Sequence, residues 1–540
     1  MIANVFSGAG FKHIPVRGIE FEFKGRRGEI DALFVYKNVL VICEDTTERA
    51  PRDHLNKTAV LMNLIDANRL EFIATLPARY PAWGKRVLGG LDPREYEVRY
   101  LYCSRNLVEK HHLESHPELK CLQFTSLRYF AALVKVIQVS ARFELLKFLG
   151  VALPDVDRAA GTSSKDYHGF LLPDIPSGFP VGYKVLTFYI DPHTLLERAY
   201  VFRRDSWEDS EGLYQRMLVK NKIRAMRAYL AGEGRAFVNN VIVSLPPDVA
   251  ADAVRGRFSQ NAEARRSHGI TVSIPSKFNC IGLIDGQHRV FAYHEGSDQH
   301  EPVIREKREK QQLLVTGILF PPKTAEEDRR VFEAKLFLEI NDKQTRTRGD
   351  LRHAIHTIVE PFGAIALAKS VVSGLAAQGP LAGLLIDHFF GEGTIRTTSI
   401  VSYGLQHIVP IEGNSDHSFF RLWRSPLKRV TGREKDARDA YVGYCVSETN
   451  KFLSGFKTVV SERGMWTTDR KESRALTTTT INGLVYCLRL LIEDRGLRDF
   501  DSYRRAFQRL RVDFRPRRFR FRSSHWKALG ERIHEECFEQ

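Results

Sequence analysis

The stretch Asn279-CIGLIDGQHRVFAYHEG-Ser297 decides how the centre of this chain folds. Ile281, Leu283 and Ile284 form an apolar run that reads as a buried strand. The run breaks at Gly286, and Val290, Ala292 and Tyr293 then continue at helical spacing. Asp285, Gln287, His288 and Arg289 are thereby set at a strand-to-helix corner. Free backbone N–H groups and a helix N-terminus at such a corner favour an anion. Gly286 permits close backbone approach, and Arg289 adds a two-pronged donor suited to phosphate or carboxylate.

Around this corner the pattern alternates. Upstream, Tyr183–Ile190 reads as a strand, and Leu213–Leu230 as a helix carrying Arg216, Lys220, Lys222, Arg224 and Arg227. A strand over Val238–Leu245 follows. Downstream, Gln311–Phe320 is an apolar strand. A helix around Val331–Ile340 then runs into Asn341-DKQTRTRGD-Leu351. Asn341 falls where that helix ends, placed to cap it or to contact a ligand. Arg346, Arg348 and Arg352 extend the segment as a cationic strip that suits phosphates or simply a solvated face.

The string Asp285-Gly286-Gln287-His288-Arg289 is identical to the motif of the DGQHR-domain proteins, a group that includes the DndB-like proteins encoded beside DNA phosphorothioation systems. Phe291-Ala292-Tyr293 and Gly296 also resemble the box of the ParB/sulfiredoxin-like fold that contacts nucleotide phosphates. Phe337-LEI-Asn341 with Gln344 and Thr345 is similar to the family's downstream element. The resemblance covers roughly residues 178–351. It implies DNA binding, with transcriptional control or nucleoside triphosphate hydrolysis as the output. For hydrolysis it assigns Asp285 to Mg2+ or ribose, Gln287 to water, His288 to donor or base, and Arg289 to phosphate charge. Gly286, Arg289, Asn341 and Gln344 would line the nucleotide. No Walker-type phosphate loop is present, so any such activity must come from this corner.

Near the N-terminus, Gly28-Glu29-Ile30-Asp31 precedes Glu44, which ends a second apolar strand. This layout resembles the PD-(D/E)xK nucleases, in which carboxylates and a lysine meet at one metal-binding edge. Magnesium prefers oxygen ligands, so Asp31 and Glu44 are the candidate metal ligands. The expected E-x-K reads Glu44-Asp45-Thr46, and threonine supplies no cation. Lys57, on the following helix, is the candidate replacement. The expectation is a degenerate module that binds DNA without cutting it, or that serves the fold alone.

The chain is 540 residues long with a net charge of +16, and that basic excess points to a polyanionic partner, nucleic acid ahead of membrane. Its seven cysteines are scattered, with no zinc-site spacing and no disulfide framework. The opening MIANVFSGAGFKHIPV lacks the apolar core of a signal peptide, so a cytoplasmic location is expected. Tyr503-RRAFQRLRVDFRPRRFRF-Arg522 holds nine arginines against Asp513 alone, with phenylalanines interleaved. Arg515, Arg517, Arg518, Arg520 and Arg522, with Arg216, Lys220, Arg224, Arg346 and Arg348, are the candidate DNA contacts. Alternation through Arg518–Arg522 also fits an edge strand with its Phe side buried.

The expected fold class is multidomain α/β. Residues 1–150 would form the restriction-endonuclease-like module, 151–177 a linker, 178–353 the ParB-like α+β domain, and 354–540 a mostly helical basic region. The leading function is a DNA-binding protein with a candidate nucleotide site, working with DNA-modification or phage-defence proteins as regulator or sensor. Two other readings use the same residues. One is a nucleotide-gated, Mg2+-dependent nuclease, and the other an NTPase switch acting through a protein partner.

Overall fold

The computed structural model describes residues 1–84, 90–106, 108–156, 164–172, 177–201, 217–245, 249–251, 268–342, 349–386, 394–411, 417–494 and 496–539. The protein is mixed α/β. Its described residues divide into two compact units, the first reaching Arg329 and the second starting at Arg330. Among the described residues no helix is long and apolar enough to cross a membrane.

The first unit contains two large sheets. Strands β1 (Lys12–Pro15), β4 (Ala32–Tyr36), β5 (Val39–Thr46), β6 (Glu97–Ser104) and β7 (Leu119–Gln123) lie side by side in that order, and a small hairpin, β2 (Phe21–Phe23) and β3 (Arg26–Gly28), stands apart. The β1–β4–β5 part is antiparallel and the β5–β6–β7 part parallel. A two-residue turn joins β4 to β5, with Lys37 in the left-handed region at φ 49°. The parallel β5–β6 pair needs a crossover, which the helices Arg52–Ala67 and Arg69–Arg79 supply. Leu33, Val35, Leu40 and Ile42 share a core with Leu55, Ala59, Met62 and Ile65 of the first helix. Phe34 on the opposite face stacks on Phe6, ring centroids 4.3 Å apart. Burial on both faces explains why β5 reads as a continuous apolar run. The next helix spans Phe124–Ile137, with Gln123 at its N-cap.

The second sheet has eight strands in the order β10–β14–β11–β15–β9–β8–β13–β12. They are β8 (Lys165–Leu172), β9 (Lys184–Ile190), β10 (Ala199–Tyr200), β11 (Val241–Leu245), β12 (Ala250–Ala251), β13 (His268–Ile274), β14 (Ile281–Asp285) and β15 (Leu313–Leu319). Strand β8 corrects the expected linker over 151–177. Its exposed side carries Phe170 and Leu172, so polarity does not alternate along it, yet Tyr167, Gly169 and Leu171 are buried at period two. The helix expected over Leu213–Leu230 spans Lys220–Glu233 among the described residues, and Arg216 lies outside them.

The two sheets are tied together just past the DGQHR corner. Arg142 grips Glu295 with both terminal nitrogens, at 2.6 and 3.1 Å. Ser140 Oγ accepts from the Glu295 amide, and the Ser297 hydroxyl donates to Gln138.

The second unit is helical, as the sequence predicts. Helices Ala364–Ala377, Lys435–Glu462, Thr478–Glu493, Phe500–Phe507 and Trp526–Cys537 surround a core that includes Leu367, Val371, Phe452, Phe456, Leu488 and Ile533.

Candidate functional site

Strand β14 ends at Asp285, Gly286 turns at φ 97°, and a short helix spans Gln287–Phe291. The corner is therefore built as its sequence predicts. Glycine is required at position 286 twice over. The backbone there is left-handed, and a Cβ would come within 3.0 Å of the Arg289 guanidinium and 3.2 Å of Val241. Arg289 Nη2 donates to Asp285 Oδ2 at 2.9 Å and to the Asn240 carbonyl at 2.8 Å. Arg289 thus pins the helix to the ends of β14 and β11, and its Nε is buried without a hydrogen-bond partner among the described residues. His288 Nε2 accepts from the Val219 amide at 3.3 Å, which fixes its proton on Nδ1. That contact brings the start of helix Lys220–Glu233 to the corner. No side chain caps this helix start among the described residues. Lys220, Lys222 and Arg224 are exposed there.

Arg227, on the same helix, departs from its basic neighbours. It is fully buried and pairs with Asp298 at 2.7 Å and Glu301 at 2.8 Å. It also donates to the carbonyls of Ala292 and His294. Arg308 closes the network on Glu301 at 2.8 Å and on the same His294 carbonyl. Two arginines thus clamp the chain immediately after the DGQHR helix. His294 sits inside this clamp, where burial and the Arg227 charge lower its imidazole to about 4. In the sequence Arg227 falls on the helical face of Ile223 and Leu230, the two other buried residues of the helix, whereas Arg224 does not; Lys220 is near that phase but stands at the helix start.

Asn341 occupies the last turn of helix Glu326–Asp342. Gln344, Arg346 and Arg348 lie outside the described residues.

A second cluster lies at the edge of the five-stranded sheet. The antiparallel β4–β5 register brings Asp31, which precedes β4, beside Glu44 and Asp45 on β5, and Asp31 Oδ2 accepts from the Asp45 amide at 2.7 Å. Burial, then the neighbouring Asp31 carboxylate with Glu29 and Asp45, pushes the Glu44 carboxyl from 4.5 up to about 8. Its Oε1 is buried without a hydrogen-bond partner among the described residues. Lys57 does not join this cluster. It points into solvent from helix Arg52–Ala67, and no hydrogen bond or ion pair links it to Asp31 or Glu44 among the described residues. The cation present is Arg17, just past β1, whose Nε bonds Asp31 at 2.7 Å and whose Nη2 bonds Asp45. Sequence spacing gives no sign of this, because the β1–β4 pairing alone carries residue 17 alongside residue 31. Thr46, at the E-x-K lysine position, is buried and accepts a hydrogen bond from the Glu48 amide.

Comparison with protein-family models, curated proteins and solved structures found no match.

The basic segment near the C-terminus is not an edge strand. Arg515–Arg518 form a turn, and residues 519–522 are irregular. Pro516 removes a ladder donor, and the phenylalanines pack on helices instead of against a neighbouring strand. Phe514 is buried and stacks on Phe519, which in turn touches Phe521. All five predicted arginines, Arg515, Arg517, Arg518, Arg520 and Arg522, are exposed. Arg515 and Arg518 pair with Asp513 at 2.8 and 3.5 Å. Arg517, Arg520 and Arg522 form no ion pair among the described residues.

Proposed function

We propose that this chain is a DNA-binding protein of the DGQHR class, working with a DNA-modification or phage-defence system as a regulator or sensor. Its N-terminal module contributes a nuclease-like fold without cutting. The observation that carries the proposal is the Phe-anchored segment that presents Arg515, Arg517, Arg518, Arg520 and Arg522 to solvent. A segment held by its aromatic side loses little entropy on binding and offers guanidinium forks at a fixed surface. The basic excess lies mostly in this part of the chain, where residues 330–540 hold 35 Lys and Arg against 25 Asp and Glu.

The acid cluster is ill-suited to cutting. Arg17 occupies an oxygen of the candidate metal ligand Asp31 and also pairs with Asp45, Thr46 replaces the lysine, and Lys57 is elsewhere. The mixed sheet with carboxylates at one edge supports a restriction-endonuclease-like ancestry. The strand–glycine–helix corner supports the ParB-like assignment. Pure protein should shift the anisotropy of a labelled duplex while leaving supercoiled plasmid intact with magnesium, with or without nucleotides. Plasmid cleavage that disappears in Asp31→Ala and Glu44→Ala would favour the nuclease reading instead.

A nucleotide at the corner is a second reading. It is favoured by the uncapped start of helix Lys220–Glu233 beside His288, with Lys220 and Lys222 exposed. A nucleoside triphosphate with magnesium should then raise the melting temperature of the wild type. The rise should vanish in the Lys220→Ala/Lys222→Ala double variant. An equal rise in both proteins would place the nucleotide elsewhere, and no rise in either would leave the corner as scaffold.

A further inference from the structure

Three segments of the second unit meet at unusually close range, and each approach depends on a glycine. Helices Thr478–Glu493 and Trp526–Cys537 cross where a Cβ on Gly530 would lie 2.5 Å from the Gly483 carbonyl and 2.9 Å from the Tyr486 ring. A Cβ on Gly483 would press on Leu529 and on the Trp526 carbonyl, each at about 3 Å. The turn Ile400–Gly404 joins them through Gly404, whose Cβ would meet Asn482 and Val485. This packing brings three aromatic rings together at the surface. Trp526 lies between Tyr403, with ring centroids 6.4 Å apart, and Tyr486, at 5.7 Å. Tyr403 is 56% exposed.

The surroundings are cationic. Arg489 lies over the Tyr486 ring and Lys527 over the Trp526 ring. Burial, with the charges of Arg489 and Lys527, also lowers the nearby His407 imidazole. Two carboxylates stand close by: Glu493 pairs with Arg489 at 3.1 Å, and Glu531 adjoins Tyr486. Lys527 has no ion pair among the described residues. The 3-10 turn Ser523–His525 leads directly from Arg522 into the helix that carries Trp526, so the platform continues the exposed arginine segment.

We infer that the Tyr403–Trp526–Tyr486 surface binds single-stranded DNA, with bases on the rings and phosphates on Arg522 and Lys527. The inference rests on the DNA-binding reading and adds the form of the ligand. A duplex keeps its base faces stacked inside, so rings on an open surface can engage only unpaired bases. Arg522 and Lys527 beside the rings supply cations for the phosphates of such a strand.

The test is the anisotropy of labelled oligothymidylate, oligouridylate and duplex DNA with the full chain and with Tyr403→Ala and Tyr403→Phe. Tyr403→Ala should weaken oligothymidylate binding about tenfold and leave duplex binding unchanged. Tyr403→Phe, which keeps the ring, should bind like wild type. Because Tyr403 is mostly exposed, the melting curve of each variant should match wild type and confirm folding. The inference is overturned if Tyr403→Ala binds oligothymidylate as wild type does, if both ligands weaken alike, or if only oligouridylate binds. Duplex binding without oligothymidylate binding overturns this inference and leaves the DNA-binding reading standing. Binding of neither removes both.

Discussion

Arg227→Met should destabilise the first unit by about 3–5 kcal/mol, the range for removing one partner of a buried ion pair. Arg227 is fully buried and spends its donors on Asp298, Glu301 and the carbonyls of Ala292 and His294. Methionine fills much of the volume but leaves Asp298 without its cation and the Ala292 carbonyl without its Arg227 donor, while the His294 carbonyl keeps Arg308. Arg308 still serves Glu301, so part of the clamp survives and the loss stays within that range. At about 2–4 °C per kcal/mol for a unit of this kind, a thermal melt should fall by roughly 10 °C. Arg224→Met, on the exposed face of the same helix, should move the melt by little, within about 0.5 kcal/mol of wild type. Equal effects of the two substitutions would mean that Arg227 is not the anchor of the corner.

The second large effect concerns Glu44. Its carboxyl is raised in the folded protein to about 8 from an ordinary 4.5. A group raised on folding supports the fold fully below its unfolded value, and that support is lost as pH climbs to the folded value. The wild type should therefore lose stability between pH 4.5 and about 8 through this residue, and the loss should then level off. Glu44→Gln keeps the shape and cannot ionise. Its unfolding free energy should match wild type near the bottom of that window and exceed it increasingly toward the top, by about several kcal/mol at most. His294 acts in the opposite sense. Its imidazole is lowered to about 4, so its contribution is present above 6.5 and is lost as pH falls toward 4. The difference between wild type and Glu44→Gln cancels that contribution and isolates the carboxyl. A constant offset across the pH range would show that folding does not raise the Glu44 carboxyl.

Local pattern made the centre of the fold readable. The β4–β5 hairpin, the β14–Gly286–helix corner and the apolar strand β15 each stand in a contiguous run whose period or breaking residue is diagnostic. Strand β8 was not readable, because its buried side is Tyr167, Gly169 and Leu171 and its exposed side includes Phe170 and Leu172, so alternation of polarity disappears. Site residues divided along the same line. Asp285, Gly286 and Arg289 act on one another within five residues, and their contacts follow from the turn. Arg17 and Arg227 act across the sheet and between helices. Register placed Arg17 beside Asp31, and helical phase turned Arg227 inward, and neither is a property of spacing in one stretch. The C-terminal arginines were legible as an exposed set because the alternating phenylalanines had to be buried, but Pro516 and the helical core made the segment an anchored turn.

Phosphate contact by the exposed arginines is read out by the salt dependence of duplex binding. We predict that the affinity of the wild type falls steeply and log-linearly with salt. The Arg517→Gln/Arg520→Gln/Arg522→Gln triple variant should then show a slope shallower by roughly 3, about 0.9 for each phosphate contact removed. All three residues are exposed and free of ion pairs among the described residues, so the variant should fold as wild type does. A triple variant with the wild-type slope, or a wild type whose duplex binding ignores salt, would contradict the account.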